Sequence, residues 1–277
     1  MVTGTKPRRH GDTEERKPPL RLGVVSYLNV EPIVHGLRGD ERFEILPAVP
    51  SRVAEMLHAG EIDLGTIPSI EYAFGDYAIV PGIAIASRGP VRSVNLFHRG
   101  PVDEIRRVAL DTASRTSAAL ARILLRQRLG RDPEYVSMPA SVRDMLQAAD
   151  AALVIGDPAL YFEGDVPRMD LGEEWDRATG LPFVYAFWAG RGGVAGPDEV
   201  TALRSSLAKG LAGVAAIASS YNGYGAGHGA LSESYLRHNI TFTLGEEELR
   251  GLREFYRRAH ALGLIPAVPE LRFYGHS

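Results

Sequence analysis

The sequence predicts an α/β protein built from two lobes with a ligand cleft between them. Short apolar runs rich in β-branched residues alternate with helical segments, which is the pattern of a sheet of parallel strands covered by helices. This βα series occurs twice, and long extended strands within 79–97 and 183–189 join the two series. Two connecting strands indicate a double crossover, with the second lobe inserted into the first.

The first series opens with a buried strand at Arg21–Tyr27. It leads into Asn29, a residue type that caps helices, and into Pro32, which suits a first helical turn. The remaining elements of this series are a strand at Phe43–Val49, a helix capped by Ser51 and ended by Gly60, a strand at Ile62–Ile67, and a helix opening at Pro68–Ser69.

The second series continues the alternation and is followed by a helical C-terminal part. Its predicted elements are strands at Val108–Leu110, Tyr135–Ser137, Ala151–Ile155 and Phe183–Ala189 and helices at Ser114–Leu129, Ser141–Ala149 and from Asp157. Helices are predicted over 198–221, 228–238 and 245–262. We therefore predict that residues 20–94 and 190–277 form lobe one and that residues 95–189 form lobe two.

Residues 1–19 are polar, contain proline and carry both signs of charge, a composition that predicts a disordered leader. No signal peptide is predicted, because Arg21, Gly23 and Ser26 interrupt the apolar stretch that follows. No run of about 18 apolar residues predicts a transmembrane helix. We expect a cytoplasmic protein without a membrane partner.

The composition excludes several function classes. The chain has no cysteine, which excludes disulfide scaffolds, thiolate metal sites and a cysteine nucleophile. Its 31 basic and 34 acidic residues give a net charge of −3, so no nucleic-acid partner is expected. The sequence contains neither a P-loop motif nor an H-x-x-x-H pair, and we expect neither a metal nor a cofactor.

Four loops that follow predicted strands are rich in small polar residues. They are Ser26–Asn29, Ile67–Tyr72, Ser87–Ser93 and Asp111–Ser117. Ligands of open α/β sheets bind at the carboxyl ends of the strands, and in a two-lobed protein these ends face each other across a cleft. Helix N-termini there present N–H groups that hold carboxylates or phosphates, and Arg88 and Arg115 add forked guanidinium donors. The loops predict a site for a small dianion.

Each of these features also has a purely structural interpretation. Ser and Asn before a helix are frequent caps, and single surface arginines usually form ion pairs. Ser69 beside Pro68 can simply start a helix, and Asp157 is as readily a helix cap as a carboxylate of the cleft. The combination of four polar loops at matching strand ends favours the binding site.

Six segments of the chain, in order, resemble the chorismate dehydratases, the family that begins the futalosine route to menaquinone. The segments are VSYLNVEP (25–32), DLGTIPSIEY (63–72), SRGPVRSV (87–94), DTASRTSAALARILL (111–125), IGDPAL (155–160) and DLGEEWDRATGLPFVYAFWAG (170–190). The likeness extends from about residue 21 to residue 265. It implies a fold of the periplasmic-binding-protein type II kind, which agrees with the two lobes expected from the element pattern.

The resemblance implies elimination of water from chorismate without a cofactor, giving 3-[(1-carboxyvinyl)oxy]benzoate. It implies that Asn29 faces the reacting ring. At positions that match the family's motifs, it also implies residues that bind the substrate carboxylates, namely Ser87, Arg88, Ser114, Arg115 and Thr116. Ser69 is implied to form part of the wall of the site. These motifs contain no histidine, so the base stays open between Asp157 and a carboxylate of the substrate itself.

Two other functions are compatible with this fold. One is an anionic-solute-binding protein that performs no chemistry, and the missing secretion signal argues against it. The other is the sister enzyme 1,4-dihydroxy-6-naphthoate synthase. The SYLN and SRGPVRSV segments are more similar to the dehydratase than to this sister.

Overall fold

The computed structural model describes residues 18–225 and 227–275 and arranges their strands in two sheets. The predicted leader 1–19 lies outside the described residues except for its last two prolines. The strands are β1 (Leu20–Val25), β2 (Phe43–Ala48), β3 (Leu64–Pro68), β4 (Tyr77–Ser87), β5 (Val94–His98), β6 (Arg107–Asp111), β7 (Glu134–Met138), β8 (Ala151–Ile155), β9 (Arg168–Asp170) and β10 (Phe183–Arg191).

Helices of very different length connect and cover these strands. They are α1 (Glu31–Val34), α2 (Pro50–Ala59), α3 (Thr116–Leu129), α4 (Val142–Ala148), α5 (Asp157–Leu160), α6 (Leu171–Thr179), α7 (Pro197–Ala212), α8 (Val214–Ser220), α9 (Gly229–His238) and α10 (Glu246–Ala261). Short 3₁₀ turns lie at Leu28–Val30, His35–Leu37, Ser69–Phe74 and Val102–Glu104.

The strand orders are β2-β1-β3-β10-β4 in the first sheet and β7-β6-β8-β5-β9 in the second. The predicted parallel pairing holds for β1 with β2 and β3, and for β6 with β7 and β8. However, β10 and β5 run antiparallel to their neighbours. Both sheets are therefore mixed, and the two reversed strands, β5 and β10, are the first strands after the two crossings between the lobes.

The chain crosses between the lobes twice, and the two crossings lie side by side. The first connects β4 to β5 through residues 88–93, close to the predicted boundary at 94. The second precedes β10, where Phe183 pairs with Ser87 of β4. The predicted return to lobe one at residue 190 is wrong, because the whole of β10 hydrogen-bonds to β3 and β4 of the first sheet.

Two predicted helix caps are not formed. Asn29 lies inside the 3₁₀ turn Leu28–Val30 and makes no side-chain cap hydrogen bond, which leaves its amide available elsewhere. Ser51 is the second residue of α2, since that helix already begins at Pro50, a residue favoured in a first turn. The helix predicted over 198–221 is divided by Gly213 into α7 and α8.

The core extends through both lobes and includes the two crossings. Phe187 and Trp188 of β10 are almost completely buried. Among the described residues, no single helix is long and apolar enough to cross a membrane; α7 and α8 reach the required length only as a pair, bent by 76°. The cytoplasmic location stays a prediction.

The close contact of α10 with the second crossing depends on glycine at position 251. A Cβ at Gly251 would lie 1.9 Å from the carbonyl oxygen of Pro182, which is not a tolerable distance. We predict that Gly251→Ala lowers the free energy of unfolding by about 1–3 kcal/mol, because the helix must move away from β10. Gly100→Ala, whose Cβ would meet nothing within 4 Å, is the control in chemical denaturation. Equal stability of the two variants would contradict this packing.

Candidate active site

A cavity of about 590 Å³, measured up to its open mouth, lies between the lobes. Residues from β1, β3, β8, β10, the first crossing and the start of α3 surround it, and its walls combine aliphatic side chains with hydroxyl and amide groups. Its polar lining residues are Tyr27, Asn29, Thr66, Ser93, Ser114, Arg115, Thr116, Ser117 and Tyr185.

The N-terminus of α3 faces this cavity. Residues 114–117 all line it, and α3 begins at Thr116 without a side-chain cap from the described residues. The Oγ of Ser114 is buried and has no hydrogen-bond partner within the described part of the chain. The first turn of a helix leaves N–H groups unpaired and carries partial positive charge. The arrangement provides donors for a carboxylate.

Thr116 connects the two lobes at the cavity wall, and Ser69 lies behind it, with its Oγ 3.4 Å from the Oγ1 of Thr116. The Oγ1 of Thr116 accepts a hydrogen bond at 3.1 Å from the backbone N–H of Ile70 in the other lobe. Ser69 is fully buried, and its hydroxyl donates to the carbonyl oxygen of Val184 at 2.8 Å. Thr116 lines the cavity and Ser69 does not, so the predicted wall role of Ser69 is corrected to a support role.

Arg115 lines the cavity, but carboxylates of the opposite lobe already contact it. Its guanidinium lies 3.0 Å from an oxygen of Glu55 and 3.5 Å from Oε1 of the buried Glu71. The other oxygen of Glu71 is 2.8 Å from Nε2 of His58, whose Nδ1 is 2.6 Å from the hydroxyl of Tyr77. Arg115 therefore contributes less net positive charge to the cavity than the sequence suggests.

The prediction that Arg88 anchors a carboxylate in the cleft is wrong. Its side chain is 56% exposed, its Nη2 donates to the carbonyl oxygen of Gly180 at 2.9 Å, and its other neighbours are Asp176 and Glu247, at 3.9 and 3.8 Å. The crossing turns sharply here, with φ of +73° at Gly89 and +64° at Arg92. This turn places Arg88 on the outer surface, beside α6 and α10.

Ser87 also lies outside the cavity lining, and it acts through a neighbouring tyrosine. Its buried Oγ is 3.0 Å from the hydroxyl of Tyr185, which does line the cavity. Burial keeps the pKa of Tyr185 well above its ordinary value, so this hydroxyl is neutral and available as a hydrogen-bonding group. Ser87 is therefore corrected from a residue that binds the substrate carboxylate to one that contacts a cavity-lining tyrosine.

Asn29 lines the cavity as expected, and its partners were not predicted. Its Nδ2 donates to the hydroxyl of Tyr235 at 3.1 Å, and the same hydroxyl lies 2.8 Å from Oγ of Ser93. Ser93 belongs to one of the polar loops singled out in the sequence. Tyr235 carried no such signal, because it is 206 residues away from Asn29 in the sequence and lies within an ordinary amphipathic helix.

Asp157 joins the two lobes and is not among the lining residues. Its Oδ1 accepts from the backbone N–H of Leu28 at 3.1 Å, and its Oδ2 accepts from the hydroxyl of Tyr221. Burial raises the pKa of Asp157, an effect opposed by these two hydrogen bonds and reinforced by the charge of Glu31. Because both oxygens are already used within the protein, the geometry disfavours Asp157 as the base. It is not a helix cap either, since Gly156 has the cap position of α5.

A second buried carboxyl group lies beneath the start of α3. Asp111 accepts from the backbone N–H of Ala113 at 2.9 Å through Oδ1, and its Oδ2 has no partner within the described residues. Burial raises the pKa of Asp111. Burial is also the largest cause of the raised pKa of Tyr27, and the charges of Asp111 and Asp157 add smaller increases. Among the described residues, no three His, Asp or Glu side chains cluster closely enough to hold a metal ion.

Comparison with known proteins identifies the family. A family model described as menaquinone biosynthesis matches residues 20–261. The chain belongs to the menaquinone biosynthesis family. The chain is 35% identical to chorismate dehydratase of Thermus thermophilus over 272 residues, which are 91% of this chain and 97% of that protein. It is 29% identical to chorismate dehydratase of Campylobacter jejuni over 162 residues, 58% of each chain.

Solved structures confirm the fold expected for this family member. Protein AF1704 of Archaeoglobus fulgidus has a TM-score of 0.72 at 18% identity, covering 91% of this chain and all of that one. The periplasmic aliphatic sulphonate-binding protein SsuA of Escherichia coli has a TM-score of 0.63 at 20% identity, covering 94% and 95% of the two chains. The family member thus has the two-lobed architecture of periplasmic binding proteins, and the fold class predicted from the sequence is confirmed.

The interlobe role of Asp157 predicts a specific pH dependence of stability. Asparagine can still accept from Leu28 and pair with Tyr221, so we expect Asp157→Asn to fold and retain activity within about threefold, whereas loss of a general base costs about 100-fold or more. The folded state binds the Asp157 proton more tightly than the unfolded chain, whose carboxyl titrates near pH 4. The free energy of unfolding of the wild type relative to Asp157→Asn therefore falls as pH rises from about 4 through the raised pKa.

Chemical denaturation at a series of pH values measures this difference. Asp165→Asn, which neutralises an exposed carboxyl of the same lobe, is the matched control. A difference that grows in the opposite direction, or loss of turnover in a folded Asp157→Asn protein, would contradict the assignment.

Proposed function

We propose that this protein is a chorismate dehydratase, a hydro-lyase that removes water from chorismate. The observation that carries the proposal is the match to the Thermus thermophilus chorismate dehydratase along nearly the whole of both chains. The membership of the chain in the menaquinone biosynthesis family agrees with it. The cavity between the lobes is lined by both aliphatic and hydrogen-bonding side chains, as binding of a polar ring requires.

The reaction breaks two bonds and forms an aromatic ring. The C3–H bond gives its electron pair to the ring as the C4–O bond breaks, and the proton and the hydroxyl leave together as water. The product is 3-[(1-carboxyvinyl)oxy]benzoate. Aromatisation supplies the driving force. The protein has to bind two carboxylates, orient the ring and assist the loss of the proton and of the hydroxyl group.

One carboxylate is bound, in this proposal, at the start of α3. Ser114 offers a buried hydroxyl with no partner among the described residues, and the adjoining N–H groups of the helix add partial positive charge. Hydroxyl groups of Thr116 and Ser117 line the same end of the cavity. The predicted anchors Ser114 and Thr116 thus lie together, whereas Arg115 shares its charge with Glu55 and Glu71.

The ring lies against the aliphatic walls, and Asn29 is the polar group directed at it. Val25, Ile85 and Ile155 line the same cavity as Asn29 and provide an apolar surface for the ring. Asp157 already accepts two hydrogen bonds within the protein, so we assign proton removal from C3 to a carboxylate of the substrate itself. Asn29 then contributes by orienting the ring and hydrogen-bonding at the reacting centre.

Incubation of the purified protein with chorismate tests the function directly. We expect an aromatic product with the mass of chorismate less one water, followed by ultraviolet absorbance and chromatography. Binding of chorismate without turnover would instead favour a solute-binding protein, in keeping with the fold it shares with SsuA. Neither binding nor turnover would favour the sister naphthoate synthase, which acts on a different substrate.

Two substitutions test where the carboxylate binds. Ser114→Ala is expected to lower kcat/KM about 10- to 100-fold, because a hydrogen bond to a charged group contributes about 1.5–3 kcal/mol. Arg88→Ala is expected to change kcat/KM less than twofold, since Arg88 lies on the outer surface. A larger loss of kcat/KM in Arg88→Ala than in Ser114→Ala, measured by steady-state kinetics, would show that the carboxylate does not bind at the start of α3.

A further inference from the structure

Tyr235 connects two polar groups of the cavity without lining the cavity itself. It lies on α9, it is 1% exposed, and its hydroxyl contacts Asn29 Nδ2 at 3.1 Å and Ser93 Oγ at 2.8 Å. Asn29 and Ser93 both line the cavity, one from the turn after β1 and the other from the first crossing. A single phenolic oxygen therefore contacts two cavity-lining segments that are distant in sequence.

The hydrogen-bonding capacity of a phenol fixes the orientation of its partners. The Tyr235 oxygen accepts from Nδ2 of Asn29, and its single proton is available for Ser93 Oγ. With Nδ2 held in this way, rotation of the Asn29 carboxamide is restricted and its Oδ1 keeps one direction. Burial raises the pKa of Tyr235, so the hydroxyl remains a neutral donor and acceptor.

Helix α9 is itself attached to the first crossing, which gives the hydroxyl a fixed position. The Nδ2 of Asn239, the residue after α9, donates to the carbonyl oxygen of Pro90 at 2.9 Å. Thr241 exchanges backbone hydrogen bonds with Ala86 of β4 at 2.8 and 2.9 Å. These contacts hold Tyr235 relative to Ser93 and to the edge of the cavity.

We propose that Tyr235 is a positioning residue for the dehydration, holding the Asn29 carboxamide and the Ser93 hydroxyl in the orientation that the reacting ring requires. The inference rests on the proposed function, because it assigns Asn29 to the reacting centre. Tyr235 acts only through these two side chains, since it does not line the cavity.

Tyr235→Phe removes the hydroxyl and keeps the ring. We expect kcat to fall about 10- to 100-fold, as for other small misplacements of reacting groups, while KM changes less than threefold because the carboxylate site at α3 is untouched. Tyr274→Phe is the matched control. It also removes a buried hydroxyl, which donates to the carbonyl oxygen of Arg191 at 2.5 Å, and we expect kcat to be unchanged.

A double-mutant cycle separates positioning from a general effect on folding. In an Asn29→Ala background, Tyr235→Phe should lower kcat by a smaller factor than in the wild type, because one of the two groups it positions is already gone. If circular dichroism shows that Tyr235→Phe is unfolded, Ser93→Ala takes its place. This variant removes one hydrogen-bond partner of the Tyr235 hydroxyl without altering α9, and it should lower kcat several-fold at constant KM.

The outcomes separate this inference from the proposed function. If the wild type forms no product from chorismate, the proposed function fails and this role fails with it. If the wild type is active, the inference alone is overturned by unchanged kcat in a folded Tyr235→Phe protein or, where that variant does not fold, in Ser93→Ala. An equal loss in the wild-type and Asn29→Ala backgrounds would overturn it as well.

Discussion

The cavity depends on buried hydrogen bonds that join the two lobes at its sides. On one side the carboxylate of Asp157 accepts from Leu28 and Tyr221, and on the other Thr116 accepts from Ile70. Breaking such a contact without a replacement leaves a buried polar group unsatisfied, at a cost of about 1–3 kcal/mol each. These contacts keep the start of α3 facing the turn that carries Asn29. The relative position of the two polar ends of the cavity follows from them.

The electrostatics of the cavity differ from those of a simple arginine clamp. Glu55 and Glu71 of the opposite lobe offset the charge of Arg115, and Arg88 lies on the outer surface. Anion binding must then come from oriented dipoles and hydroxyl groups, above all from the start of α3 and Ser114. Such groups are already in place before the substrate arrives, so little reorganisation accompanies the reaction.

Local sequence patterns were sufficient to predict most strands, the two-lobed α/β class and the polar loops that meet at the cavity. The family expected from the six segments is also confirmed. Where the predictions fail, the deciding contacts are distant in sequence. Arg88 donates to the carbonyl oxygen of Gly180, 92 residues away on the outer surface, and β10 was assigned to the wrong lobe because its partners are β3 and β4.

The hydrogen-bond partners of Asp157 and Asn29 also could not be predicted from local sequence patterns. Leu28 lies 129 residues from Asp157, and Tyr235 lies 206 residues from Asn29. No local pattern relates such positions, because their contact exists only once the crossings have brought the C-terminal helices beside the cavity. Local sequence patterns therefore predict which side chains line a cleft more readily than they predict which distant side chains hold them in position.

A crystal structure of the protein with 3-[(1-carboxyvinyl)oxy]benzoate bound is the most direct test of the central claim. It should show the molecule between the lobes, with one carboxylate within hydrogen-bond distance of Ser114 Oγ and the N–H groups of the first turn of α3. The aromatic ring should lie between the aliphatic walls beside Asn29. A ligand bound outside the interlobe cavity, or one whose carboxylates avoid α3 altogether, would contradict the account.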